Sequence, residues 1–203
     1  MNKTLPEPLA AESQPDASPP PRQVKRRPPL WREIAETLLL ALVAFALLRL
    51  VVQNYRVEGS SMEPTLHQGQ FLVVNKLAYH LGSLQRGDIV VFRYPHDPNR
   101  SFIKRVIGLP GDQLEIVDGE LRIDGSPLVE PYIDQQSLYP YPPTTIEADQ
   151  VFVLGDNRNN SSDSRRWGGL PVSHIIGKAL FCYWPPPHWG IVRHERPAEG
   201  PVR

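Results

Sequence analysis

Two hydroxyls stand side by side at Ser60 and Ser61, with Gly59 before them and Met62-Glu63-Pro64 after them. Glycine and proline restrict the backbone on both sides, which suits a hydroxyl that must be held still. A serine at its own pKa is a weak nucleophile and needs a base within hydrogen-bond reach. Gly-Ser-Ser by itself is ordinary loop composition, so the base decides whether the pair has chemistry to do. Six histidines are present. His67 lies nearest in sequence, and none falls in a His-x-x-x-His pair or beside a Gly-x-Ser-x-Gly elbow. Lys104 is the stronger candidate, because it interrupts the apolar run Phe102-Ile103-Lys104-Arg105-Val106-Ile107. Strand alternation puts Phe102, Lys104 and Val106 on one face and Ile103, Arg105 and Ile107 on the other, so one of the two cations shares an apolar side. A desolvated lysine gives up its proton readily, with buried examples falling to a pKa of roughly 5 to 6, and the neutral amine can act as a general base. The chemistry on offer is a Ser-Lys dyad. The plain alternative is an exposed lysine on an edge strand.

A dense polar stretch, Gly155-Asp156-Asn157-Arg158-Asn159-Asn160-Ser161-Ser162-Asp163-Ser164-Arg165, invites a calcium reading through Asp156, Asn160 and Asp163. An EF-hand loop counted from Asp156 needs an oxygen ligand at its third position and glycine at its sixth, where this chain has Arg158 and Ser161. No metal site is expected. Residues 156–158 read instead as a tight turn whose side chains bond to backbone. The single cysteine, Cys182, excludes an internal disulfide and reads as a small buried apolar residue within Ala179-Leu180-Phe181-Cys182-Tyr183-Trp184.

These residues need elements to position them. Residues 1–29 are rich in Pro, Ser, Gln and Glu and are expected to be disordered. Arg22, Lys25, Arg26, Arg27 and Arg32 then precede an apolar run over 34–52, broken by Glu36, Thr37 and Arg49 near its ends. As a helix that run spans about 28 Å, close to the roughly 30 Å of a bilayer's hydrocarbon core. Residues 38–48 are apolar all round, which favours lipid on every side over a buried core helix. A cleaved leader would begin nearer the N-terminus and end at a small-residue site. The expectation is a single transmembrane anchor over 30–53, with the basic flank in the cytoplasm and everything beyond it on the far side. The remaining pattern is β. Short Val, Ile, Leu and Phe runs occur at 71–76, 89–94, 102–109, 114–117, 120–123, 151–154 and 177–183, with Asp118-Gly119 as a two-residue hairpin signal. A β-rich domain is expected over 54–190 and a flexible tail over 191–203. Residues 127–149 read as an irregular connection without a legible role. A formal net charge of zero gives no argument for a nucleic-acid partner.

Four stretches in order then match something known. Gly-x-Ser-Met-x-Pro-Thr-Leu at 59–66, Arg-Gly-Asp-Ile-Val-Val-Phe at 86–92, Lys-Arg-Val-Ile-Gly-Leu-Pro-Gly-Asp at 104–112 and Gly-Asp-Asn-Arg-x-Asn-Ser-x-Asp-Ser-Arg at 155–165 resemble the boxes of the bacterial type I signal peptidases. The resemblance runs from residue 30 to about 184 and implies a compact, mainly β fold behind one N-terminal membrane helix. It implies Ser61 as nucleophile and Lys104 as general base, with Ser161 holding the lysine amine and Asp163 and Arg165 as a supporting ion pair. Some relatives carry a serine two residues before the nucleophile as an oxyanion donor; here that position is Gly59, which leaves the backbone N–H groups of Ser61 and Gly59 for that task. Val57, Met62, Leu66 and Ile103 match positions that line the small first pocket, and the substrate is expected as an added strand between the segment leading to Ser61 and that containing Phe102 and Ile103.

The implied substrates are secretory preproteins cut after Ala-x-Ala-like sites, with membrane lipid as the other partner and no cofactor. The membrane is the plasma or the thylakoid membrane. Two other readings compete: a self-cleaving Ser-Lys repressor-like protease, and a membrane-tethered β domain that binds peptide without catalysis. The anchor and the lack of a DNA-binding half speak against the first. An intact serine and lysine speak against the second.

Overall fold

The computed structural model describes residues 29–200. The tail expected over 1–29 therefore lies outside the described residues, apart from Pro29. Helix α1, Leu30–Val51, has no buried residue and is long and apolar enough to cross a membrane. The chain divides within it, between Ala41 and Leu42, into two compact units.

The second unit is mainly β. After β1 (Val52–Arg56), β2 (Phe71–Asn75) and the one-turn helix α2 (Ala78–Leu81) come β3 (Ile89–Tyr94) and the long β4 (Asp97–Gly108). Next are β5 (Gln113–Val117), β6 (Glu120–Ile123), β7 (Ser126–Val129), β8 (Tyr141–Thr145) and β9 (Gln150–Leu154). The short α3 (Ser164–Trp167), β10 (Leu170–Pro171), β11 (Ile175–Trp184), β12 (Gly190–Ile191) and β13 (Ala198–Glu199) complete the described residues. One sheet has the order β1-β2-β11-β3-β4-β9-β10, with β12 paired to β11; the other has the order β13-β7-β6-β5-β8. All pairs are antiparallel.

Alternation explains the core. Ile107, Phe152 and Leu154 pack with Leu114, Ile116, Leu121 and Ile123 of the smaller sheet. Their strand neighbours Val106, Val151 and Val153 join Val90, Phe92 and Leu170 in a separate cluster. The β4–β9 region is thus covered on both faces, which is why its residues read as continuous apolar runs. A third cluster of Val57, Met62, Leu66, Leu72, Ile89, Ala179, Cys182 and Val192 lies beneath the two serines.

The hairpin expected at Asp118-Gly119 is present, with φ of 50° and 82°, as a two-residue turn with positive φ at both positions requires. Asp124-Gly125 makes a second one of the same kind between β6 and β7, at φ of 51° and 78°. That turn and two strands fall in or beside the stretch read as an irregular connection. Pro127, Pro142 and Pro143 obscured them; β8 lies at a sheet edge, where a missing N–H is tolerated. At the other end, β1 takes Val52 and Gln53, which the expected anchor bounds included, so the strand begins directly after the helix.

The C-terminal stretch also departs from the flexible tail expected after 190. Gly190–Ile191 pairs with β11, Val192 enters the core, and Ala198–Glu199 pairs with β7. His194 Nδ1 accepts the N–H of Ile89 at 2.9 Å, and the Glu195 carbonyl accepts from buried Arg105 at 3.3 Å. Backbone pairing and one apolar side chain hold a stretch whose composition is polar. Deleting residues 190–203 should therefore destabilise the protein by at least ~2 kcal/mol, the scale of one buried valine plus an orphaned hydrogen-bond donor. Urea unfolding of the detergent-solubilised chain measures it, and an unchanged midpoint would show the segment to be an appendage.

Candidate active site

The segment carrying the serines is fixed from below. Val57 donates its N–H to the Gln70 carbonyl at 2.8 Å and its own carbonyl accepts from Gly69 at 2.9 Å. Gly59 then turns the chain at φ of 80°, a conformation L side chains rarely adopt; a Cβ there would meet nothing within 4 Å, so glycine answers to the backbone and not to space. Met62, only 1% exposed, and Leu66 plug the core beneath.

From above, the 155–165 loop closes on the serine backbone. Asn157 donates its N–H to the Ser61 carbonyl at 3.1 Å and its side-chain amide to the Ser60 carbonyl at 3.2 Å. Asn160 donates to Ser60 Oγ at 2.9 Å. Gly155 is required by close approach, since a Cβ there would lie 2.3 Å from Ser161 Oγ and 2.4 Å from the Ser61 carbonyl oxygen. Among the described residues the N–H groups of Gly59 and Ser61 have no acceptor within the chain.

Lys104 comes from β4, whose pairing partner for it is Val90 on β3. Its Nζ lies 2.7 Å from Ser61 Oγ and donates to the Ile103 carbonyl at 2.9 Å. The side chain is 4% exposed. Burial pushes its pKa from 10.5 down to about 8, while the carboxylates of Asp163 and Asp156 pull the other way. A lysine so placed is largely protonated at neutral pH yet deprotonates under mildly alkaline conditions, and the neutral amine has its lone pair within reach of the serine proton. His67 faces Glu63 and the ring of His188 instead.

Both adjacent cations are buried, where alternation required that one share an apolar side. Arg105, fully buried, sends Nε to Asp156 Oδ1 at 2.9 Å and Nη2 to Asp156 Oδ2 at 2.7 Å. Thr65 donates to the same carboxylate at 2.5 Å, and the guanidinium stacks 3.8 Å from the Tyr132 ring centroid. Asp156 and Arg158 are therefore not simple turn residues: Asp156 holds Arg105, and Arg158 holds both Glu130 and the Gly155 carbonyl. Asp163 and Arg165 form the ion pair the resemblance implied, at 2.7 Å, with Asp163 Oδ2 also accepting the Gly155 N–H at 3.2 Å. Ser161 lies buried beside Gly155, but among the described residues its Oγ has no hydrogen-bond partner, so the contact expected with Lys104 is not made in this arrangement.

A cleft of about 450 Å³ opens between residues 55–61 and 100–104. Val57, Gly59, Ser61, Phe102, Ile103 and Lys104 line it. Met62 and Leu66 do not: both are buried in the core beneath, and Leu72 and Val91 line the cleft in their place. A signal for these two was absent because β2 and β3 approach the serines only in the folded sheet.

Residues 30–184 match the model of the family described as signal peptidase, peptidase S26. The chain belongs to this family. A probable signal peptidase I of Synechocystis sp. is 46% identical over 174 residues, covering 80% of this chain and 89% of the relative. The signal peptidase I of Leptolyngbya laminosa is 40% identical over 179 residues, with 84% and 88% covered. A probable thylakoidal processing peptidase of Arabidopsis thaliana is 36% identical over 148 residues, with 69% of this chain and 40% of the relative covered. The enzyme is a signal peptidase. The mainly β fold expected of such a peptidase is the one observed.

Within this signal peptidase the geometry separates the two serines. Ser60→Ala removes an acceptor for Asn160 and should keep at least a third of the wild-type kcat, whereas Ser61→Ala should lose activity by 1,000-fold or more. Cleavage of one peptide by both variants decides it, and the reverse order would reassign the nucleophile. A basic role for Lys104 requires the neutral amine, so kcat should rise with pH through a midpoint of about 8 and level off above it. Lys104→Arg keeps the charge but stays protonated. It should fold and show a loss of 1,000-fold or more at every pH, while near-normal cleavage by that variant would exclude the lysine as base.

Proposed function

We propose that the enzyme removes signal peptides with Ser61 as nucleophile and Lys104 as general base. The observation that carries this reading is the 2.7 Å separation of Nζ and Oγ around a lysine that is nearly excluded from solvent. The neutral amine takes the proton from Ser61 Oγ as the oxygen attacks the scissile carbonyl carbon. The oxyanion that forms is met by the Ser61 N–H, with the Gly59 N–H as a second donor. The lysine ammonium then returns its proton to the leaving amine, the mature protein departs, and an acyl ester remains on Ser61. A water molecule, losing its proton to the same amine, hydrolyses the ester. Asp163 and Arg165 support the site by geometry.

The substrate enters as an extended strand between residues 55–61 and 100–104. Alternate side chains of a strand face the same wall, so the first and third residues before the cut meet the floor made by Val57, Leu72, Val91 and Ile103, with Phe102 flanking it. The Ala-x-Ala preference is the one the family resemblance implies, and these apolar residues are the ones that would set it.

Helix α1 anchors the enzyme in the membrane. The basic residues before it favour a cytoplasmic N-terminus and a catalytic domain on the outer face of a plasma or thylakoid membrane. The serine follows the helix closely in sequence, so the anchor confines the site near a signal peptide emerging from the same bilayer.

The test is cleavage of a purified preprotein by the wild-type enzyme beside Ser61→Ala and Lys104→Ala. Cleavage by the wild type alone, at a small-x-small site, is the expected result; cleavage that survives either substitution would reject the dyad. Replacing Ala-x-Ala by Phe-x-Phe in the same substrate should lower kcat/KM at least 100-fold, and equal rates would reject the proposed pocket.

A further inference from the structure

The segment between β7 and β8 has no regular structure, yet it grips the loop that sits on the serines. Glu130 receives both terminal nitrogens of Arg158 at 2.5 Å, with the two side chains 4% and 2% exposed. The Tyr132 hydroxyl donates to Glu130 Oε1 at 2.6 Å, so the carboxylate is fully engaged. Further along, Leu138 donates its N–H to Asn159 Oδ1 at 2.9 Å, Asn159 Nδ2 donates to the Gln136 carbonyl at 3.1 Å, and Arg165 donates to Ser137 Oγ at 2.9 Å.

The loop held this way carries Asn157 and Asn160, whose bonds go to Ser61 and Ser60. Arg158 is the residue after Asn157, and its Nε donates to the Gly155 carbonyl at 3.2 Å. Glu130 therefore reaches the nucleophile's backbone through one side chain and one peptide unit. A buried ion pair is a poor way to gain stability, because desolvation offsets most of the attraction; well-packed apolar residues would serve as well. What a bidentate pair supplies is direction.

We propose that Glu130 is a positioning residue for the signal peptidase reaction: through Arg158 it fixes the turn at Asn157 and thereby sets Ser61 against Lys104. This rests on the Ser61–Lys104 reading given above. Tyr132 aids it by orienting the carboxylate, and Asn159 pins the far side of the same loop. The side chain touches neither substrate nor reacting atoms.

The test compares Glu130→Ala, Glu130→Gln, Tyr132→Phe and Asn159→Ala in the full chain in detergent, with unfolding curves for each and rates measured well below every midpoint. Glu130→Ala should lower kcat at least 10-fold with KM within twofold of wild type. Glu130→Gln, which still accepts a hydrogen bond from Arg158, should recover part of that loss. Tyr132→Phe and Asn159→Ala should each cost about threefold in kcat, and they decide the matter should Glu130→Ala fail to fold. The acid limb of the kcat profile should move upward in the loosened variants, as water gains access to Lys104. Folded variants with lower midpoints but wild-type kcat and an unmoved acid limb would overturn the inference and leave Glu130 a structural residue. Ser61→Ala and Lys104→Ala run alongside: activity surviving in either overturns the dyad on which the inference rests, whereas their inactivity beside wild-type Glu130 variants overturns the inference alone.

Discussion

An ammonium group excluded from water is the constraint on which this enzyme's site depends. In the proposed dyad Lys104 would serve because burial makes its charged form unfavourable, and burial is sustained only if the strand that bears it cannot move. β4 meets that need. It lies between β3 and β9, and apolar clusters cover both of its faces near residues 106–107. The serine has to be brought to the lysine, and this is done with backbone contacts: Val57 and Gly69 below, Asn157 above. Neither half of the pair rests on a flexible loop of its own.

The two neighbouring cations on β4 show how environment separates chemistry from structure. Arg105 is as buried as Lys104 but has the bidentate carboxylate of Asp156, the Gly87 and Glu195 carbonyls and an aromatic face. Its charge is satisfied on every side. Lys104 has a serine hydroxyl and one carbonyl, and among the described residues no carboxylate within hydrogen-bond distance. Arg105 fastens the 155–165 loop to β4 through Asp156, whereas burial leaves Lys104 able to release its proton.

How much of this was legible in the sequence follows from the range of each interaction. Local patterns were readable: the membrane-length helix, the strands at 89–94 and 151–154, the Asp118-Gly119 turn, and a lysine out of place in an apolar run. Roles that depend on contacts between distant segments were not. Nothing local to Glu130 pairs it with Arg158, and nothing local to Asp156 pairs it with Arg105. Met62 and Leu66 were expected at the substrate pocket because their positions match those of relatives, whereas the fold turns them downward into the core and gives the cleft Leu72 and Val91. Prolines hid β7 and β8, and a polar composition hid the pairing of residues 190–199. In these last two cases backbone hydrogen bonds, which composition does not record, decided the outcome.

The arginines around the cleft carry a further consequence for the lysine. Asp163 and Asp156 are the two carboxylates whose fields favour the ammonium form of Lys104, opposing the effect of burial. Each is paired within 2.7 Å to a guanidinium, Arg165 and Arg105 respectively. A carboxylate bound bidentately to arginine presents a dipole, whose field falls off faster than that of a bare charge, so its hold on a neighbouring ammonium is weakened. Without these partners the same carboxylates would raise the lysine's pKa and withdraw the neutral amine from the working range. The loop thus needs acidic residues to anchor its turns and needs arginines to mask them. Arg165 from the loop itself and Arg105 from β4 give the proposed amine base a polar wall with hydrogen bonds in number and little net charge directed at the lysine.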